Sequence, residues 1–441
     1  MNKPNLDLYL DEIKAVQPVR KHGKVTQVIG LTVESLGPHA TIGEICLIYP
    51  SEFATPIEAE VVGFRESRLM LMPFGDLSQI GPGCLVVATQ RSLQIKVGQA
   101  LLGSFIDGFG RPIDATKLPS GLVNMKTEQA PPSPLTRPRI TEPLELGVKA
   151  IDGLLTVGKG QRIGLFAGSG VGKSTLLGMI ARQTEADIIV IALIGERGRE
   201  VREFIERDLS DETRKKSVVV AVTSDQSPLQ RIKGAMTATA VAEYFREQGN
   251  QVLLLMDSVT RFAMAQRELG LAIGEPPTTK GYTPSVFTKL PQLLERSGTS
   301  AKGSITAIYT VLVDGDDFNE PISDAVRGIL DGHIILSRKI AQKGLFPAID
   351  ITASVSRLMD DLVTLEHREA ARKFKRMLAT YQEAEDLLAI GAYKPGGQPE
   401  LDEAVNLYPL IRQFIVQERE EPNAFEHTVD QLIREFGGKT T

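Results

Sequence analysis

Between Gly23 and about Leu93 the chain sets short β-branched and apolar runs (Val25 to Val33, Glu44 to Tyr49, Ile57 to Gly63, Arg68 to Met72, Cys84 to Ala88) between glycines and prolines. Runs this short and closely spaced predict the strands of a small β-barrel over residues 23–93. Ahead of them Leu6, Leu10 and Ile13 share one helical face, acidic residues lie between, and Pro18 closes the segment. That pattern predicts a short amphipathic helix within residues 1–22, which packs on its own domain or docks a partner.

From Gly160 to about Ser356 the pattern changes. Apolar runs at Arg162 to Ala167, Ile188 to Ile194, Ser217 to Val222, Gln251 to Met256 and Ile305 to Val311 alternate with helical stretches such as Ala235 to Gln248. This is the signature of a parallel α/β sheet, expected over residues 94–364. Leading into it, Pro131, Pro132, Pro134, Pro138 and Pro143 predict an extended connection lying against the next domain. After about Thr364 the chain turns helical through Glu366 to Leu388 and Leu401 to Gln417, with a break at Pro395 to Pro399, which predicts a small helical domain over residues 365–441.

Composition narrows the function. With 42% hydrophobic and 24% charged residues in 441, the chain reads as an ordered protein of two to four domains at about 150 residues each. A net charge of -5 argues against a general nucleic-acid binder, whose surface must neutralise phosphate. The only two cysteines, Cys46 and Cys84, form no CxxC and read as buried thiols of a reducing compartment. Asp7, Asp11 and Glu12 interrupt the stretch where a signal peptide would be apolar, and runs such as Ile188 to Ile194 fall short of the roughly 20 residues that cross a bilayer. Membrane contact is expected to be peripheral only.

The chemistry concentrates in four places. Ala167 to Thr175 reads AGSGVGKST, between a predicted strand and a predicted helix. Gly168, Ser169, Gly170, Val171 and Gly172 would turn backbone N–H groups onto phosphates, Lys173 would neutralise them, the Ser174 hydroxyl would ligate Mg²⁺, and Thr175 continues the loop into the helix. Ala167 stands where the usual pattern has glycine, which a negative φ tolerates. Asp257 closes the run Val252 to Met256, where a parallel strand delivers a carboxylate to the carboxyl edge of the sheet, suited to orienting the Mg²⁺ hydration shell. Glu196, in GERGRE after another strand, could hold the attacking water, with Arg197 beside it; a glutamate favoured at a helix start is the competing reading. Arg357, at the end of PAIDITASVSR, reads on its own as a solvated surface arginine.

The PAIDITASVS, GERGRE, VAEYFR and MDSVTRFA stretches resemble the catalytic subunit of the rotary ATP synthase headpiece, across nearly the whole chain. PPSPLTRPRI, GVKAIDGLLTVGKGQRIGLFAGSGVGKS, DQSPLQRIKGA and GDDFNEPISDAVRGILDGHIILSR resemble the type III protein-export ATPases, and AGSGVGKS is similar to their flagellar branch. The resemblance implies an α/β P-loop (RecA-like) ATPase core with an N-terminal β-barrel and a C-terminal helical domain, using ATP and Mg²⁺. It implies Lys173 on the phosphates, Ser174 and Asp257 at Mg²⁺, Glu196 activating water, Arg357 reaching into the neighbouring subunit, and Phe346 against adenine where synthase subunits carry tyrosine.

Because Lys173, Glu196, Asp257 and Arg357 lie in one chain, identical subunits could complete every site of a homohexamer. By resemblance, such a motor works in the cytoplasm at the inner face of the cell membrane. Its implied partners are a stator-like regulator at the N-terminal helix, a central stalk-like export protein, the export gate, and export substrates with their chaperones. The alternatives are the injectisome branch, a synthase headpiece subunit and an RNA-translocating hexamer. Ala389 to Gly397, AIGAYKPGG, replaces the acidic lever of synthase subunits, and Phe53, Phe64 and Phe74 among acidic neighbours make a poor base-stacking platform.

Overall fold

The computed structural model describes residues 22–51, 54–114, 117–313 and 317–437. The helix expected within residues 1–22 lies outside them, apart from His22, which already opens the first strand. Two compact units emerge: the described residues to Leu93 with Glu268–Pro276, and the remainder.

In the first unit, β1 (His22–Ile29), β2 (Thr32–Leu36), β3 (Glu44–Tyr49), β4 (Ile57–Arg65), β5 (Arg68–Pro73) and β6 (Leu85–Ser92) close an antiparallel barrel in the order β1-β2-β5-β4-β3-β6. The single run expected from Val25 to Val33 is two strands, because Gly30 takes φ 55° and turns the chain between them. Val33, Cys46, Ile48, Ala59, Val61, Leu71 and Val86 fill the interior. Burial pushes the Cys46 thiol up to about 12, so it packs as an inert apolar group, whereas Cys84 is only half-buried.

The second unit contains β7 (Gln94–Val97) paired with β9 (Val123–Lys126), and a nine-stranded sheet. Its strands are β8 (Phe105–Ile106), β10 (Arg162–Ala167), β11 (Ile188–Glu196), β12 (Ser217–Thr223), β13 (Gln251–Asp257), β14 (Gly298–Thr299), β15 (Ser304–Leu312), β16 (Gly332–Leu336) and β17 (Val355–Ser356). Along β16-β10-β15-β13-β11-β12-β8 all pairs are parallel, as expected; β14 and β17 are short antiparallel additions at its margins. The central strands are buried on both faces, which is why they read as unbroken apolar runs. Pro228 at the first turn and Ser227, whose hydroxyl accepts from Gln230 N–H, start the long helix Pro228–Glu247. The proline-rich connection is held by Arg137, which donates to Ser297 O at 2.8 Å, and by Thr299, which donates to Pro138 O at 2.8 Å.

The helical end forms Leu365–Glu383, Glu385–Ala389, Pro399–Ile415 and Phe425–Phe436. Thr364 caps the first of these by accepting from His367 N–H, and Ala370, Phe374, Met377 and Leu378 line its buried face at helical spacing. Phe374 packs against Phe414 and Phe436, and these rings belong to the same hydrophobic core as Ile151, Leu154 and Ile180. The small helical domain expected at the C-terminal end is therefore present and shares a core with the α/β domain.

Candidate active site

β10 ends at Ala167, whose backbone stays extended, and the chain then loops through Gly168 to Gly172 into the helix Lys173–Gln183. Gly170 and Gly172 take φ 78° and 94°, conformations a side chain would resist. Successive N–H groups of such a loop, followed by a helix N-terminus, form an anion cradle. Val171 and Leu176 are buried and pin the loop, while Ser169, Gly170, Ser174 and Thr175 are exposed and line a cavity of about 410 Å³.

Parallel strands deliver the charged residues to the same edge. Glu196 ends β11 and Asp257 ends β13, and Lys173 Nζ lies 3.4 Å from Glu196 Oε1 and 2.5 Å from Asp257 Oδ1. Thr310 on β15 donates to Asp257 Oδ1 at 2.7 Å. These side chains are 12%, 13% and 6% exposed, so the three charges interact with little solvent between them. Burial opposes the lysine charge, but Asp257 and Glu196 outweigh it and raise its pKa. Burial, reinforced by Asp257, pushes the Glu196 carboxyl up to about 7 against the pull of Lys173, and a hydrogen bond with Glu200 raises it further. A buried carboxyl poised there can accept a proton near neutral pH.

The remaining expected residues are spread out. Arg197 lines the cavity with its side chain 77% exposed, 3.8 Å from Glu200. Phe346 borders a second cavity of about 340 Å³ that shares Gly172 and Thr175 with the first, and its ring would lie 3.7 Å from a Cβ on Gly172. Arg357 is not brought to these groups: it follows β17, its N–H bonds Asp331 O at 3.0 Å, and its Nη2 donates to Arg327 O at 3.1 Å, at the amino edge of the sheet.

Three groups escaped the sequence reading. Arg261 lines the first cavity with its Nε buried and without a hydrogen-bond partner among the described residues, in the first turn of the helix that follows Asp257. Its place within MDSVTRFA, just beyond a strand-end carboxylate, was the available signal. Gly195 takes φ 72° against the Arg261 side chain, where a Cβ would stand 2.9 Å from Arg261 Cβ. The segment Val416 to Arg419 borders the second cavity, and nothing local in that polar run announces it.

A model of the ATP synthase alpha/beta family nucleotide-binding domain matches residues 147–356, that family's β-barrel domain matches 25–90, and the T3SS EscN ATPase C-terminal domain matches 363–434. The chain is 58% identical to the flagellum-specific ATP synthase of Bacillus subtilis (strain 168), over 98% of each chain. It is 47% identical to the type 3 secretion system ATPase of Xanthomonas euvesicatoria, over 97% of each. Among solved structures, the assembled ATPase EscN of the enteropathogenic E. coli type III secretion system matches with a TM-score of 0.89 at 48% identity, over 94% of this chain and all of that one. EscN in complex with its central stalk EscO matches with a TM-score of 0.87.

Proposed function

This chain belongs to the ATP synthase alpha/beta family, among the flagellum-specific and type 3 secretion system ATPases, and on that premise we propose that it is the ATP-hydrolysing motor of a flagellar protein-export apparatus. The carrying observation is Lys173 held between Glu196 and Asp257 at the mouth of a glycine cradle. In that arrangement the loop N–H groups and Lys173 bind the β and γ phosphates, and Glu196 orients the attacking water and takes its proton. Arg261 offers a buried N–H, unpaired among the described residues, to the charge that develops on the transferring phosphoryl group.

The donor set suits Mg²⁺. The Ser174 hydroxyl and the Asp257 carboxylate are hard oxygen groups, and among the described residues no cluster of three or more His, Cys, Asp or Glu forms a cage. Mg²⁺ keeps most of its own waters and shares phosphate oxygens, so two protein groups suffice; when bound it supplies charge neutralisation at the β and γ oxygens.

Arg357, at the far edge of the sheet from its own Lys173, supports a ring in which each subunit completes its neighbour's site, and the assembled EscN and its stalk complex support a homohexamer around a stalk-like export protein. The motor would work in the cytoplasm beneath the membrane, delivering export substrates and releasing their chaperones; no helix among the described residues is long and apolar enough to cross a membrane. The higher identity to a flagellar than to a secretion-system relative favours the flagellar branch.

The test is ATP hydrolysis per chain across protein concentration, for wild type, Arg357→Ala, and an equal mixture of Arg357→Ala with Lys173→Ala. Specific activity should climb with concentration. The mixture should regain activity at about a quarter of its interfaces, those that pair an intact lysine with an intact arginine. Flat activity on dilution together with a harmless Arg357→Ala would return the arginine to a surface role and dissolve the ring.

A further inference from the structure

The base cavity and the water-activating carboxylate are joined by contacts that the reaction described above does not use. Gln417, within the segment Val416 to Arg419 that borders the base cavity, donates its N–H to Phe346 O at 3.0 Å and its Nε2 to Gly147 O at 2.9 Å, so this strap is fixed to the aromatic wall and to the core. Two residues on, Arg419 donates from Nη2 to Arg207 O at 3.0 Å and to the Asp208 carboxylate. Arg182, on the helix that Lys173 opens, grips the same point. Its Nη1 donates to Asp208 O at 3.1 Å and its Nη2 to Arg419 O at 2.8 Å.

Asp208 ends the wide-turned segment Phe204–Asp208, which continues directly from the helix Gly198–Glu203 and hence from Glu196. A Cβ at Gly178 would stand 2.7 Å from Asp208 Cβ, so the phosphate-binding helix lies directly against the aspartate. Three segments thus meet at one carboxylate: the strap of the base cavity, the helix behind the phosphate loop, and the segment led by Glu196.

We propose that Arg419 and Asp208 form a latch that couples filling of the base cavity to the placement of Glu196, making both of them positioning residues that tie turnover to the presence of a purine. The latch rests on the assignment of the site to ATP. A mostly buried charge pair wedged between packed elements holds as a unit or lets go as a unit, which is what coupling between two ends of a site requires.

The test compares hydrolysis of magnesium ATP with that of magnesium tripolyphosphate, which carries phosphates but no base. It uses wild type, Arg419→Ala, Arg419→Lys, Asp208→Asn and the double variant Arg419→Ala with Asp208→Asn. Each single neutralisation should lower kcat for ATP about tenfold with KM shifted less than about twofold, and the double should be no worse than the worse single. Arg419→Lys, which keeps the charge and guards against misfolding, should recover part of the loss, and tripolyphosphate hydrolysis should not change. A raised KM at unaltered kcat, equal losses on both substrates, or losses that multiply in the double variant would overturn the latch. Lys173→Ala in the same assay separates the two levels: if wild type does not hydrolyse ATP, or does so regardless of Lys173, the ATP assignment fails, whereas a silent Arg419→Ala in a Lys173-dependent enzyme sinks the latch alone.

Discussion

The proposed phosphate end of the site and its proposed base end lie side by side, sharing Gly172 and Thr175, yet they are held by different forces. At the phosphate end Lys173, Glu196 and Asp257 are between 6% and 13% exposed and in contact, so each charge is felt at low effective dielectric. At the base end the face offered to a ligand is Phe346, 45% exposed, with Pro347, Leu176 and Met179 around it, so that face is apolar and half in water, with the Arg419–Asp208 pair behind it. Electrostatic placement acts on the reacting atoms and should govern rate; apolar contact is made equally before and during reaction and should govern affinity.

The sharpest break in that contrast is Glu196→Gln. The amide keeps shape and burial but cannot take the proton of the attacking water, so kcat should fall by about 10²–10⁴. Affinity for ATP, followed by fluorescence of a labelled nucleotide, should stay within a few-fold. A variant that keeps more than about a tenth of wild-type turnover would move the role to Glu200, its hydrogen-bonded neighbour.

A smaller effect follows from the raised pKa of Glu196. Its carboxyl titrates at about 7 because burial and Asp257 disfavour the charged form that accepts the proton. Activity should therefore be lost as pH falls through about 7: kcat/KM for ATP should drop about tenfold per unit below that midpoint and level off above it. The Glu200 hydrogen bond raises the Glu196 pKa, so Glu200→Gln should move the midpoint downward. A profile whose midpoint ignores Glu200→Gln would assign the titration to another group.

The same contrast explains what could be read without coordinates. The phosphate end is legible because each part is local: a glycine loop between strand and helix, and carboxylates closing apolar runs that parallel pairing carries to one edge. The base end is assembled from distant segments. Gln417 is buried because its amide bonds Gly147 O and Lys149 N–H some 270 positions earlier, so the chain leaves the helix at Ile415, two residues before the expected end, and is folded inward. β8, two residues long, and β16, opening on Gly332 and His333, were too short and too mixed to register as strands, yet they complete the flanks of the sheet. The helix Phe425–Phe436 did carry a signal, with Thr428, Leu432 and Phe436 buried at spacings of four, but charged residues between them masked it.

The smallest expected effect probes the base end directly. Phe346→Ala removes an aromatic face next to the glycine loop, a contact worth about 1 kcal/mol beyond simple burial. Because that face meets the base in the ground state and the transition state alike, the loss should appear as a KM for ATP raised about five- to tenfold at nearly constant kcat. Phe346→Tyr restores the ring and should return KM to within about twofold of wild type, since the half-exposed position leaves a hydroxyl free to stay in water. Steady-state kinetics of both variants decide it. A fall in kcat for Phe346→Ala with KM unmoved would mean that the aromatic wall acts on the reacting end, and the division of labour between the two ends would have to be redrawn.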